Sequence, residues 1–224
     1  MLAFAPARAD MAFMPAIAKI CGLSTPATVD AAIAGGAAYV GLVFFPPSPH
    51  NLDPDAAAGL AARLPDRVGR VGVFVDPDDA LLDRAIASAH LQVLQLHKVA
   101  PDRAAAIRAR TGREVWTAVP VKTSADLGAA RSFAGAADRV LYDAKTPPGA
   151  ALPGGMGLRF DWALLDGFRH PLPWALSGGL DPSNVGEAIR RTGAALVDVS
   201  SGVESAPGVK DVDKIAAFLK AVAS

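Results

Sequence analysis

The chain has a single cysteine, Cys21, in 224 residues. That excludes an intrachain disulfide framework and a cysteine-rich metal cluster. Its four histidines include no helix-spaced pair around a glutamate, so the common zinc-hydrolase signature is missing too. Neither charge sign is in excess, with 22 lysines and arginines set against 22 aspartates and glutamates. Lacking a basic cluster, and with aromatics at only 6%, the chain offers no electrostatic footprint for nucleic acid or an anionic membrane. Long apolar runs are absent as well. The alanine-rich opening, residues 1–13, is broken by Asp10 and is too short to span a bilayer. The expectation is therefore a small-molecule partner in a reducing, cytoplasmic setting.

Apolar residues make up 51% of the chain, enough at this length to bury one substantial core. Residues 1–14 read as an N-terminal extension, either disordered or translated from an upstream start, since Met11 and Met14 directly precede the first strand-like run. A weak targeting role is also open. Residues 15–224 read as one domain, in which short runs of Val, Leu, Phe and Ala alternate with helical stretches. The runs are 16–20, 38–44, 70–75, 91–96, 114–119, 139–142, 173–176 and 195–199, mostly apolar throughout, as strands covered on both faces should be. Thr25-Pro26, Asp53-Pro54 and Asp76-Pro77 each place a capping residue before a helix-starting proline. Gly35-Gly36, Gly112, Gly135 and Gly193 stand where helices should stop. Eight β–α alternations predict an α/β fold, a closed (β/α)₈ TIM barrel, with a doubly wound open sheet as the alternative.

In such a barrel, chemistry sits at the C-terminal ends of the strands. The first strand ends at Cys21-Gly22, which reads either as a thiol at the barrel mouth or as an inert buried cysteine. The sixth ends at Tyr142-Asp143-Ala144-Lys145, where Asp143 serves a substrate, a cap or an ion pair with Lys145. A thiol and a carboxyl on opposite sides of one pocket suggest an acid–base pair. Ser177-Gly178-Gly179 and Ser200-Ser201-Gly202 end strands seven and eight, the usual phosphate positions of these barrels, where a following short helix would add its N-terminal amides. The glycine-rich segment holding Gly155 and Gly157 reads as backbone held close to a ligand, as a lid, or as a flexible loop. The loop 45–51, stiffened by three prolines, carries His50 over the mouth. His97, after Gln95, reads as a core, loop or site histidine and is given no proton-transfer role.

In this order the segments resemble the phosphoribosylanthranilate isomerases. The resemblance runs from Lys19 to Ala221 and rests on Lys19-Ile20-Cys21-Gly22, Ser48-Pro49, Gln95-Leu96-His97, Tyr142-Asp143, Gly155-Met156-Gly157, Phe160-Asp161-Trp162, Ser177-Gly178-Gly179-Leu180 and the stretch Asp198 to Glu204. Pro207-Gly208 and Lys210-Asp211 extend it. It implies an Amadori rearrangement of N-(5′-phosphoribosyl)anthranilate in tryptophan biosynthesis, with no cofactor and no metal. It further implies Asp143 as general acid and Cys21 as general base. His50, Gln95, His97 and Asp198 would contact the substrate. Gly155, Gly157, Ser177, Gly178, Gly179, Ser200, Ser201 and Gly202 would bind its phosphate. Each catalytic role needs a shifted pKa: burial would raise Asp143, and a cation, with Lys19 the candidate, would lower Cys21.

Two positions depart from the family pattern. His50 stands where an arginine usually clamps the anthranilate carboxylate. Histidine lacks the permanently charged fork, so weaker or more pH-dependent binding is expected. Lys98 replaces a glycine, which puts a tight turn there in doubt. The alternatives are another sugar-phosphate isomerase or epimerase, and a phosphosugar-binding barrel without turnover. A monomer and a homodimer are both compatible with the sequence.

Overall fold

The computed structural model describes residues 16–147 and 157–224. The expected N-terminal extension and Gly155 lie outside the described residues. Eight parallel strands close into a barrel in chain order: β1 (Ile17–Cys21), β2 (Tyr39–Phe44), β3 (Gly69–Val75), β4 (Val93–His97), β5 (Glu114–Val121), β6 (Arg139–Ala144), β7 (Trp174–Leu176) and β8 (Leu196–Val199). The seam is the pairing of β8 with β1, where Lys19 lies opposite Asp198. This closure rules out the doubly wound alternative. The barrel follows from two-sided burial: residues alternate between a cluster inside the barrel and a larger one beneath the helices.

The outer layer holds α1 (Pro26–Ala34), α2 (Pro54–Ala61), α3 (Asp79–Ala89), α4 (Pro101–Thr111), α5 (Ser124–Leu127), α6 (Val185–Thr192) and α7 (Val212–Val222). Thr25 and Asp53 cap α1 and α2 as expected, each accepting from an amide three residues on. Asp76-Pro77 does not start α3. The cap is Asp78, which accepts from the Leu81 amide, while Asp76 sits at φ 43 in the link before it. The tight turn after β4 survives without its glycine, because Lys98 itself takes the left-handed conformation at φ 55. After β5 the helix is a single turn continued by a 3₁₀ segment, Gly128–Phe133.

Inside the barrel the end remote from the site is plugged by Tyr39 against Trp116, ring centroids 5.0 Å apart, with the Arg139 guanidinium 5.2 Å over the indole. An element the periodicity did not indicate follows β8: a 3₁₀ turn, Ser201–Val203, leads into a small antiparallel hairpin of β9 (Glu204–Ala206) and β10 (Val209–Lys210). The hairpin stands on the rim of the barrel mouth. Among the described residues no helix is long and apolar enough to cross a membrane.

Candidate active site

Cys21 is the last residue of β1, and two-residue alternation turns Lys19 and Cys21 to the same interior side. Lys19 is fully buried and donates to Asp198 Oδ1 at 2.8 Å. Space for both side chains comes from Gly41 on the neighbouring strand, where a Cβ would lie 2.9 Å from Cys21 Sγ and 3.1 Å from Lys19 Cε. The charges act on the thiol in opposite directions. Burial pushes Cys21 up, Lys19 pulls it down, Asp198 pushes it up again, and the net result is a thiol raised above its ordinary value. The expected cation is present, but the expected net lowering is not, because desolvation outweighs it.

Asp143 lies across the mouth in β6, which runs two residues further than its apolar pattern indicated. Burial, and then the negative charge of Asp198, push its carboxyl up to about 7, against the opposing pulls of the Ala144 amide, Lys19 and the Ser177 hydroxyl. Its Oδ1 accepts from the Ala144 amide at 2.8 Å. Gly178, at φ 86, approaches this backbone so closely that a Cβ would stand 2.6 Å from Ala144 N and 3.0 Å from Asp143 Oδ1. The loop after β7 is thus folded directly onto the candidate acid.

Both groups open onto one cleft at the C-terminal ends of the strands, partly open to solvent. Gln95 and His97 line it from β4, with Gln95 Nε2 3.0 Å from His97 Nε2 and Gln95 Oε1 without a partner among the described residues. Burial, with Lys19 and Lys98 nearby, lowers His97 to about 4, so it is neutral at ordinary pH. A neutral ring accepts the Gln95 amide proton at Nε2.

Gly157, Ser177, Gly178, Gly179, Ser200 and Ser201 line the opposite end of the cleft. Among the described residues, the amides of Gly178, Gly179, Ser201 and Gly202 have no protein acceptor, which suits a backbone cradle for an anion. Gly202 is packed so tightly on the Leu180 carbonyl that no side chain would fit. No α-helix starts at either loop: after β8 a short 3₁₀ helix of three residues begins at Ser201, and after β7 the helix α6 starts only at Val185.

His50 also lines the cleft, and its ring rests on Gly22, where a Cβ would come within 2.9 Å of it. Its Nε2 lies 2.9 Å from Glu204 Oε1, while Nδ1 is buried and has no partner among the described residues. Glu204 in turn accepts from Lys210 Nζ at 2.6 Å and from the Gly208 amide at 3.0 Å. Burial alone would raise Glu204, but His50 and Lys210 hold it down at about 2. Lys210 completes its bonds at the Ser200 carbonyl, 2.9 Å, and hydroxyl, 3.1 Å.

The structure therefore gathers Cys21, His50, Gln95, His97, Asp143 and Asp198 with both serine–glycine loops at one mouth. Asp198, read from sequence as a substrate contact, also spends one oxygen on Lys19. Sequence reasoning assigned no role to Glu204 or Lys210. The available signal was their placement on either side of Pro207-Gly208, a hairpin turn.

The chain's residues 18–221 match the family model described as N-(5′-phosphoribosyl)anthranilate (PRA) isomerase. It is 55% identical over 209 residues to the N-(5′-phosphoribosyl)anthranilate isomerase of Paramagnetospirillum magneticum, covering 93% of this chain and 97% of that one. Over 213 residues it is 53% identical to that of Rhodospirillum centenum, covering 94% and 100%. Among solved structures it is similar to phosphoribosyl anthranilate isomerase from Thermotoga maritima, with TM-score 0.82, 34% identity and coverage of 92% and 98%. A similar match is to a phosphoribosyl anthranilate isomerase in complex with reduced 1-(o-carboxyphenylamino)-1-deoxyribulose 5-phosphate, with TM-score 0.78, 33% identity and the same coverage.

Proposed function

Because the chain belongs to the N-(5′-phosphoribosyl)anthranilate isomerase family, it is an isomerase of tryptophan biosynthesis, and we propose that Asp143 and Cys21 divide its proton transfers between them. The observation that carries this reading is their opposition across one cleft, with Asp143 raised to about 7 so that a protonated fraction persists at neutral pH.

The reaction converts N-(5′-phosphoribosyl)anthranilate to 1-(2-carboxyphenylamino)-1-deoxyribulose 5-phosphate. Asp143 gives its proton to the furanose ring oxygen as the C1′–O bond breaks, and the anilino nitrogen's lone pair forms the iminium. Cys21, as thiolate, takes the C2′ proton, and the electron pair of that bond becomes the C1′–C2′ double bond while the nitrogen is neutralised. The resulting enol ketonises as a proton leaves O2′ and one is added at C1′. Lys19 favours the thiolate against the burial that opposes it. The iminium adds a second positive charge beside the thiol, so ring opening assists the step that follows it.

In this reading the free amides and serines of the loops after β7 and β8 hold the phosphate, together with Gly157 and Gly155. His50 takes the anthranilate carboxylate, and Gln95 and His97 contact the middle of the substrate. The setting is the cytoplasm. Both assembly states remain compatible, since one similar structure is of monomers generated from the dimeric isomerase of Thermotoga maritima.

The test is the loss of substrate fluorescence on addition of wild type, Cys21→Ala and Asp143→Asn. Turnover by wild type with a fall of about 10²-fold or more in kcat for each variant supports the assignment. Variants that retain wild-type kcat would overturn it.

A further inference from the structure

Lys210 spends every proton of its ammonium on the protein. Its Nζ donates to the Ser200 carbonyl at 2.9 Å, to the Ser200 hydroxyl at 3.1 Å and to Glu204 Oε1 at 2.6 Å. An ammonium has three donors, so none is left for a ligand. The side chain is only 1% exposed and does not line the cleft, whereas Ser200 and Ser201 do. A buried cation is thus bonded to the loop after β8 from outside the cleft.

We propose that Lys210 is a positioning residue for anion binding, holding Ser200 so that its O–H and the Ser201 amide N–H face the cleft. This rests on the reading above, in which the loops after β7 and β8 hold the substrate's phosphate. Two bonds carry the argument. In a planar trans peptide the carbonyl and the following N–H point in opposite directions, so a Ser200 carbonyl drawn back to Lys210 sends the Ser201 N–H the other way. That amide has no protein acceptor among the described residues, and its residue lines the cleft. The second bond fixes the hydroxyl: Ser200 Oγ accepts from Lys210, which commits a lone pair and leaves its proton to donate elsewhere. The neighbouring positive charge polarises that O–H further.

The loop after β7 is held on the same plan. Asn184, which does not line the cleft, donates from Nδ2 to the Gly179 carbonyl at 2.9 Å. The Leu180 amide, which must point the other way, also lacks a protein acceptor among the described residues. Two donors of different chemistry therefore perform one task, drawing a carbonyl back and leaving an amide forward. Glu204 supplies the counter-charge, so the Lys210 ammonium is not buried bare.

The experiment measures Kd for two stable ligands, the reduced product and its dephosphorylated counterpart. Wild type is expected to prefer the phosphorylated ligand by about 10²-fold or more. In Lys210→Met that preference should fall by about tenfold, with the dephosphorylated ligand's Kd within about twofold of wild type. Equal weakening of both ligands would make Lys210 a merely structural residue and overturn the proposal, as would no change in either. Ser200→Ala supplies the second arm. Because Lys210 acts through Ser200, the combined variant should lose less preference than the product of the two single losses. Fully independent losses would mean that the ammonium and Ser200 meet the phosphate separately, and would overturn the positioning role. Absence of phosphate preference in wild type would overturn the cradle and the proposal with it. Failure of wild type to bind the reduced product at all would instead overturn the reading of this cleft on which the proposal rests. If Lys210→Met does not fold, Lys210→Met combined with Glu204→Gln removes both charges together, leaving neither buried alone, and the same selective loss is expected.

Discussion

Gly178 lies against Asp143 so closely that one added methyl group would stand 3.0 Å from the carboxyl oxygen and 2.6 Å from the Ala144 nitrogen. Its φ of 86° adds backbone strain for any other residue. Gly178→Ala is therefore expected to displace the acid and lower kcat by about 10²-fold, the usual cost of an ångström-scale misplacement. Turnover measured beside Gly36→Ala, whose added methyl group meets nothing within 4 Å, separates this from the general cost of a strained alanine.

Asp143 sets function against stability. Its folded pKa of about 7 lies above the ordinary 3.8 of an unfolded aspartate. The unfolded chain therefore gives up this proton first as pH rises, so this group by itself withdraws stability between about pH 4 and pH 7, while buried neutral His97 acts in the opposite direction over nearly the same range. Asp143→Asn does not titrate. Its stability relative to wild type should grow across that window and level off above it, reaching a few kcal/mol at most. Urea midpoints at pH 4.5 and pH 8 check this, and an unchanged difference between the variants would contradict it.

Lys19→Met removes the positive charge that opposes burial at Cys21. With it gone the thiol shifts further up, so the acidic limb of kcat/KM, which reports the group that must lose a proton, should move to higher pH. An unmoved limb would remove Lys19 from the mechanism. The same change leaves Asp198 buried and unpaired, at a cost of about 3–5 kcal/mol, so the profile is read on the folded fraction.

Lys98 holds a left-handed conformation, φ 55, that costs an L-residue about 1–2 kcal/mol. Lys98→Gly should raise stability by about 1 kcal/mol and leave kcat close to wild type. A lower melting temperature would show that the lysine is worth more there than its strain costs.

The strands were legible because each is covered on both faces, which leaves near-continuous apolar runs. Their ends were not, since the pattern breaks at the polar residues that do the chemistry: β6 seemed to stop before Asp143, although the ladder carries on to Ala144. Asp76-Pro77 misled for a related reason. Two aspartates stand side by side at 78 and 79, and the choice of cap is made by which side chain reaches an amide, here Asp78 to Leu81. The hairpin that carries Glu204 and Lys210 has strands of three and two residues, too short for any periodicity to register. Each of those residues alone reads as an ordinary surface charge. Only the fold reveals that they meet each other and His50.

The contact between Lys19 and Asp198 also dictates an order of events. The two residues lie 179 positions apart, on the strands that form the seam of the barrel. While the chain is being made, the lysine exists long before its counter-ion, and an ammonium cannot be sealed from water without one. Sealing the first strand is therefore costly until the eighth arrives. A nascent chain that stops short of Asp198 lacks the counter-ion that makes a dry interior around Lys19 and Cys21 favourable.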